Sequence, residues 1–324
     1  MQMYYNFLTG KAMSRTEAFD LMRYMASVEC SDAYRAAVLS VLRIRGITED
    51  EIMGFYDAMH KYSIKSEASD IVGTGGDMAN TINVSTASAI VAASYGIRVA
   101  KFGNRSASGS HGSADFMMEL GYRFPETVGD AQHLLDTRGF VFLYAPNFLR
   151  EFAMFSAVRK ALGFPTVLNF LGPLLNPLAP SKRVIGTADG TMMDLYAKTA
   201  LRSGFASIIV HSADGMDEIS PLSKARILRV NETIEEEFLD SPGIVGKIEA
   251  SNIASPDPRK IQELTLASMV GENQDGSKFI ALNTAPLLVL NGFADSITEA
   301  YDLALDHVMS GKPQRFLEEI LHES

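Results

Sequence analysis

Hydrophobic positions along the chain change their period near residue 65. Before that point they recur at helical spacing. Ala18, Met22 and Met25 follow the capping box Ser14-Arg15-Thr16-Glu17; Ile52, Phe55, Tyr56 and Met59 follow a second, Thr48-Glu49-Asp50-Glu51; Val38, Leu39 and Leu42 mark a helix between them. In each box the hydroxyl can accept the glutamate's backbone N–H while the glutamate side chain reaches back, which fixes two helix starts. The methionines on these faces read as core filling rather than as a binding surface. Residues 1–65 are therefore predicted to be a small helical domain. After Lys65, short apolar runs (Ile71-Val72, Ile97 to Ala100, Phe140 to Tyr144, Val184 to Gly186, Ser207 to Val210) alternate with helical stretches that close on Gly96, Gly121, Gly163 and Gly204. Glycine just past a helix tolerates the left-handed turn that ends it. Strands separated by helices predict βαβ units, so 66–324 read as a large α/β domain with a mainly parallel central sheet flanked by helices. Ser296-Ile297-Thr298-Glu299 cap a late helix, and a short helix follows Ser310.

Composition narrows the class. With 324 residues, 47% hydrophobic and 21% charged, the chain is neither disordered, collagenous nor a coiled coil. Its 29 Lys+Arg against 39 Asp+Glu give a net charge of −10, which argues against coating nucleic acid or an anionic membrane. Cys30 is the single cysteine, so an intrachain disulfide or a cysteine metal cluster is excluded, and a reducing compartment fits. The greasiest run, Thr284 to Leu290, is far short of the ~20 residues of a membrane span. The start, MQMYYNFLTGKAMSR, lacks the pattern of a secretory signal. A cytoplasmic protein without nucleic-acid or membrane partners is expected.

Three polar clusters fall at predicted strand ends. Asp70-Ile71-Val72-Gly73-Thr74-Gly75-Gly76-Asp77, followed by Thr81-Ile82-Asn83-Val84-Ser85-Thr86, puts a glycine turn before a helix start. Glycines let the backbone approach a ligand, and the helix N-terminus favours an anion. The segment is neither a Walker loop nor a dinucleotide fingerprint, since Met78 stands where the last glycine belongs. Phosphate binding and a structural turn are its two readings. Lys101 to Ser110, continuing through His111-Gly112-Ser113-Ala114-Asp115, offers two cations, an amide and hydroxyls that suit a phosphate ester; a solvated loop is the rival. Asp214-Gly215-Met216-Asp217-Glu218 reads equally as a Mg²⁺ site or an acidic turn. Together the clusters suggest a Mg²⁺–polyphosphate substrate.

These segments, with Val158-Arg159-Lys160-Ala161-Leu162-Gly163 and Asn169-Phe170-Leu171-Gly172-Pro173-Leu174-Leu175-Asn176-Pro177, resemble the anthranilate phosphoribosyltransferase family, in order over nearly the whole chain. The resemblance implies a class-IV phosphoribosyltransferase fold, with a helical return to the first domain near 161–182 and a homodimer through that domain. It implies transfer of phosphoribose from 5-phosphoribosyl diphosphate (PRPP) to the amine of anthranilate, in tryptophan biosynthesis, with Mg²⁺ as cofactor at two ions per subunit. By motif, Gly73, Gly76, Asp77, Thr81, Asn83, Val84, Ser85 and Thr86 would hold PRPP. Lys101, Phe102, Gly103, Asn104, Arg105, Ser106, Ala107, Ser108, Gly109 and Ser113 would close over it. Ser85, Asp217 and Glu218 would bind the metal. Gly73, Asn104 and Arg159 would meet anthranilate, with Pro173 and Asn176-Pro177 lining the aryl pocket. No residue is implied as a general base. The chain departs from the family where Phe102 replaces a histidine, and where Phe148-Leu149-Arg150-Glu151-Phe152 stands in place of a His-His-Pro segment. A nucleoside phosphorylase of the same fold and a non-enzymatic nucleic-acid-binding homologue are the alternatives.

Overall fold

The computed structural model describes residues 10–60, 65–77, 79–105 and 112–322. Both capping boxes close: Ser14 with Glu17 opens α1 (Arg15–Met25), and Thr48 with Glu51 opens α3 (Glu49–Met59). Between them α2 (Asp32–Arg45) starts on Ser31 and stops at Gly46. Helices α1 and α3 lie so close that a Cβ on Gly54 would collide with the Arg15 carbonyl and with Ala18.

The second period gives β1 (Ser66–Gly73), α4 (Val84–Ser94), β2 (Val99–Gly103), α5 (Ser113–Glu119), α6 (Val128–Arg138) and β3 (Phe140–Tyr144). The chain then leaves the sheet through α7 (Ala145–Phe148), a 3₁₀ turn at Arg150–Phe155, α8 (Ser156–Leu162), α9 (Val167–Leu171) and a 3₁₀ turn at Gly172–Leu174. It returns as β4 (Pro180–Gly186), α10 (Met193–Ser203) and β5 (Ala206–Ser212). The excursion starts earlier than the return expected near 161–182. Its expected last residues, 180–182, already pair with β1, Pro180 opposite Ser66 and Lys182 opposite Ser69. Proline without an N–H is tolerated at that first strand position.

Strand order is β3-β2-β1-β4-β5-β6-β7, with the first five parallel. The antiparallel pair β6 (Ala225–Val230) and β7 (Ile234–Leu239) extends one edge and was not legible beforehand. Strand β7 reads Ile-Glu-Glu-Glu-Phe-Leu and is largely exposed, so it carries no apolar alternation; Glu236 and Glu237 instead pair with Arg226 and Arg229 on β6.

Alternate strand residues feed two cores. Ala68, Ala100, Val141, Ile185 and Ile209 face the helical domain and the excursion. Ile71, Val99, Phe142, Val184 and Ile208 face α4 and the C-terminal helices. That second layer holds α11 (Ser241–Val245), α12 (Pro258–Met269), α13 (Gln274–Leu290), α14 (Ile297–Met309) and α15 (Lys312–His322). The greasy run Thr284 to Leu290 is the buried end of α13. Among the described residues, no helix is long and apolar enough to cross a membrane.

Candidate active site

A cavity of about 410 Å³ opens at the carboxyl ends of β1 and β2, where parallel sheets present strand-to-helix loops. Of the residues expected from sequence, it gathers Gly73, Gly76, Asp77, Thr81, Asn83, Ser85, Lys101, Phe102, Gly103, Asn104, Arg105, Ser113, Arg159, Pro173, Asp217 and Glu218. Val84 and Thr86 are not among its walls. Both are fully buried, because helix α4 begins at Val84 and turns these two side chains inward while Ser85 stays at the cavity. Asn176 and Pro177 also miss the walls; Asn176 is fully buried, bonded to Asp70 and to the Ala100 carbonyl. Ser106, Ala107, Ser108 and Gly109 lie outside the described residues. Phe152, from the segment that stands in place of the His-His-Pro motif, is a wall; sequence reasoning missed Asn80 and Ile261. Ile261 sits on α12, far along the chain, with no local signal to betray it.

One end of the cavity is acidic. Asp217 Oδ2 accepts the Gly75 N–H at 2.6 Å, tying the carboxylate after β5 to the glycine turn after β1. Gly73 is needed for this approach: a Cβ there would occupy the Asp217 carboxylate oxygen. A Cβ on Gly186 would sit inside the Asp217 main-chain carbonyl, which has no rotamer to escape by. Gly186→Ala is therefore expected to destabilise the fold by at least about 1–3 kcal/mol, read as a lowered thermal midpoint; an unchanged melt would contradict this packing.

Glu218 lies beside the Ser85 backbone at the start of α4, which favours its charged form, and the N-cap Asn83 makes no side-chain cap bond there. The Glu218 Oε2 is buried with no hydrogen-bond partner. Burial first, then Asp217 and Asp77, hold the Glu218 carboxyl well above the usual range. Burial and the neighbouring Asp77 push Asp217 up to about 6. Lys101, 2% exposed, is the nearby cation, held down by burial and raised by Asp70, Glu218 and Asp217. Crowded oxygen donors with an unsatisfied carboxylate oxygen fit a hard dication. Among the described residues no three His, Cys, Asp or Glu side chains form a closed cage. That suits Mg²⁺, which takes few carboxylates and completes its shell with water and phosphate.

The raised carboxyl makes a signed prediction. A group whose pKa rises on folding stabilises the fold below its unfolded value and loses that contribution as pH climbs through the folded one. Ionised Glu218 thus weakens the metal-free protein at high pH. Glu218→Gln should melt above wild type at alkaline pH without Mg²⁺, and the gap should close as the pH falls into the acid range. Calorimetric melts across that range check it; parallel curves would contradict the buried charge.

The other end is apolar. Leu149, Phe152, Leu168 and Pro173, all from the excursion, line the cavity together with Arg159 on α8. This guanidinium is half-buried, and burial depresses its pKa. Its Nη2 lies 3.5 Å from Asn169 Oδ1, and among the described residues no carboxylate comes within ion-pair distance. Arg105, by contrast, is exposed and paired with Asp115 at 2.7 Å. Phe102 is 4% exposed and belongs to the core beneath the cavity, contributing to its wall from there.

Fold and cleft together define a two-domain α/β protein whose cleft is acidic at one end and apolar, with the Arg159 guanidinium, at the other. Residues 65–314 match the α/β domain of the glycosyl transferase family, and residues 6–63 match its helical bundle domain. The curated anthranilate phosphoribosyltransferase of Thermoplasma acidophilum is 63% identical over 98% of this chain and 99% of its own length. That of Picrophilus torridus is 44% identical over 97% of each. Among solved structures, the Thermus thermophilus enzyme superposes with a TM-score of 0.89 at 29% identity, covering 99% of both chains. The Saccharomyces cerevisiae enzyme in complex with PRPP and Mg follows at 0.83 and 28%, covering 95% and 93%. The chain belongs to the anthranilate phosphoribosyltransferase family.

Proposed function

We propose that the protein transfers 5-phosphoribose from PRPP to the amine of anthranilate, giving N-(5-phosphoribosyl)anthranilate and pyrophosphate, a step of tryptophan biosynthesis. The observation that carries this reading is the two-ended cavity: an acidic cluster at Asp77, Asp217 and Glu218 in which Glu218 Oε2 is buried without a partner, and a half-buried Arg159 without a carboxylate at the apolar end. The yeast relative, solved with 4-fluoroanthranilate as well as with PRPP and Mg, supports it.

In this reading the amides of the Gly73 to Gly76 turn and the start of α4 receive PRPP, with Asp77, Thr81, Asn83, Ser85, Lys101, Gly103 and Ser113 around it. Ser85, Asp217 and Glu218 hold Mg²⁺, two ions per subunit. Held there, Mg²⁺ would supply neutralisation of the charge that builds up on the leaving pyrophosphate. Arg159 takes the anthranilate carboxylate as a charge-assisted fork, and Asn104 with the Gly73 backbone flanks the ring. The aryl amine's lone pair attacks the anomeric carbon, the carbon–oxygen bond to pyrophosphate breaks, and the amine proton passes to solvent. An aromatic amine is already a nucleophile, so positioning and charge stabilisation suffice and no general base is assigned.

The same reading makes the protein a cytoplasmic homodimer joined through the helical domain. Val28 and Ile44 in that domain are 85% and 86% exposed, the kind of apolar surface a partner covers. Light scattering on the purified protein checks the mass. For the activity, anthranilate fluorescence should fall only when PRPP and Mg²⁺ are both present. Cleavage of a nucleoside by phosphate without Mg²⁺, with anthranilate untouched, would favour the phosphorylase instead.

A further inference from the structure

Strand β1 is laddered to β4 from Ser66 opposite Pro180 to Gly73 opposite Gly186. To β2 it is laddered at one pair only, Ser69 opposite Val99, while β2 follows β3 over all five of its residues. The sheet is thus split between β1 and β2, on the side where the cavity opens. In a continuous parallel ladder the Ala100 carbonyl and the Phe102 N–H would bond to the β1 backbone. Here side chains take both. Asn176 Nδ2 donates to the Ala100 carbonyl at 2.8 Å, and Asp70 Oδ1 accepts the Phe102 N–H at 3.1 Å. The two side chains also bond each other, Asn176 Nδ2 to Asp70 Oδ2 at 2.9 Å, and Asn176 Oδ1 accepts the Leu178 N–H at 3.0 Å. Neither residue is exposed at all.

A buried polar pair with its bonds fulfilled specifies one geometry, since any shift leaves a desolvated group unmet. The two bonds bracket Lys101 and lead into Gly103 and Asn104, all walls of the cavity. Lys101 is the cation that feels Asp217 and Glu218.

We propose that Asp70 and Asn176 are positioning residues for phosphoribosyl transfer: they replace the β1–β2 ladder beyond Val99, keep the sheet split there, and set Lys101 and the Gly103-Asn104 turn over the PRPP end of the cleft. The proposal rests on the function proposed above. Neither side chain touches substrate; both act through β2.

The test uses Asp70→Asn, Asn176→Asp and the double variant in the full-length protein. In Asp70→Asn one N–H faces another whichever way the new amide turns, so one tie is lost. In Asn176→Asp two carboxyls face each other. The double variant again sets an amide against a carboxylate and loses only the Ala100 tie. Calorimetric Kd for Mg²⁺·PRPP should rise roughly 10-fold or more in each single variant, the scale of one lost buried hydrogen bond. The KM for anthranilate should stay within about 2-fold, and the double variant should bind PRPP several-fold better than either single. Should a single variant not fold, PRPP affinity of the double against wild type decides in the same sense. A lowered melting temperature with PRPP affinity unchanged, or equal losses for both substrates, would overturn the proposal. Wild type binding PRPP without consuming anthranilate would refute the acceptor instead, and leave the PRPP comparison decisive here.

Discussion

Replacing Asp217 and Glu218 together by alanine is expected to lower kcat/KM for PRPP by roughly 30- to 1000-fold at saturating Mg²⁺, a loss of about 2–4 kcal/mol of transition-state stabilisation. In the proposed reading the two carboxylates are the charges that hold the cation of the departing pyrophosphate. Asp217 is also structural, since it holds the Gly75 amide. The pair Asp217→Asn and Glu218→Gln separates these roles. The new amide oxygen at position 217 can still accept the Gly75 N–H, but the charge for the cation is gone. Both double variants should be crippled, and raising Mg²⁺ should restore part of the amide variant's rate. Full turnover by the amide variant would mean that the carboxylates serve only to fasten loops.

Arg159→Ala carries the second large effect. An anionic substrate brought into an apolar pocket loses hydration, and a charge-assisted pair is worth about 1.5–3 kcal/mol there. The KM for anthranilate should therefore rise about 10- to 150-fold, while that for PRPP changes little. Arg159→Lys should recover only part of the loss, because a point charge cannot reproduce the planar fork. Equal loss for both substrates would assign Arg159 to support of the excursion through Asn169.

What the sequence revealed followed from local physics. Ser14 with Glu17 and Thr48 with Glu51 are short-range bonds, so their boxes announced α1 and α3. Strand β3 announced itself as a continuous buried apolar run, and β5 by Ile208 to Val210, whereas β1 and β4 showed only their apolar ends, Ile71-Val72 and Val184-Ile185. Strand β7 showed neither, because an exposed edge of three glutamates has no core to point at. The cleft was legible where the chemistry lies in one loop, as at Gly73 to Asp77 and Lys101 to Arg105. Where a contiguous motif met helical geometry only part of it reached the cavity wall: Val84 and Thr86 flank Ser85 in sequence, yet their side chains turn into the core. Asp70 and Asn176, 106 positions apart, meet only because β1 and the end of the excursion are folded together. No spacing rule pairs them.

Stoichiometry tests the central claim most directly. With Mg²⁺ and excess PRPP, each anthranilate consumed should release one pyrophosphate, and chelation of Mg²⁺ by EDTA should stop both together. Pyrophosphate release without anthranilate loss, or anthranilate loss that survives chelation, would contradict phosphoribosyl transfer at this cleft.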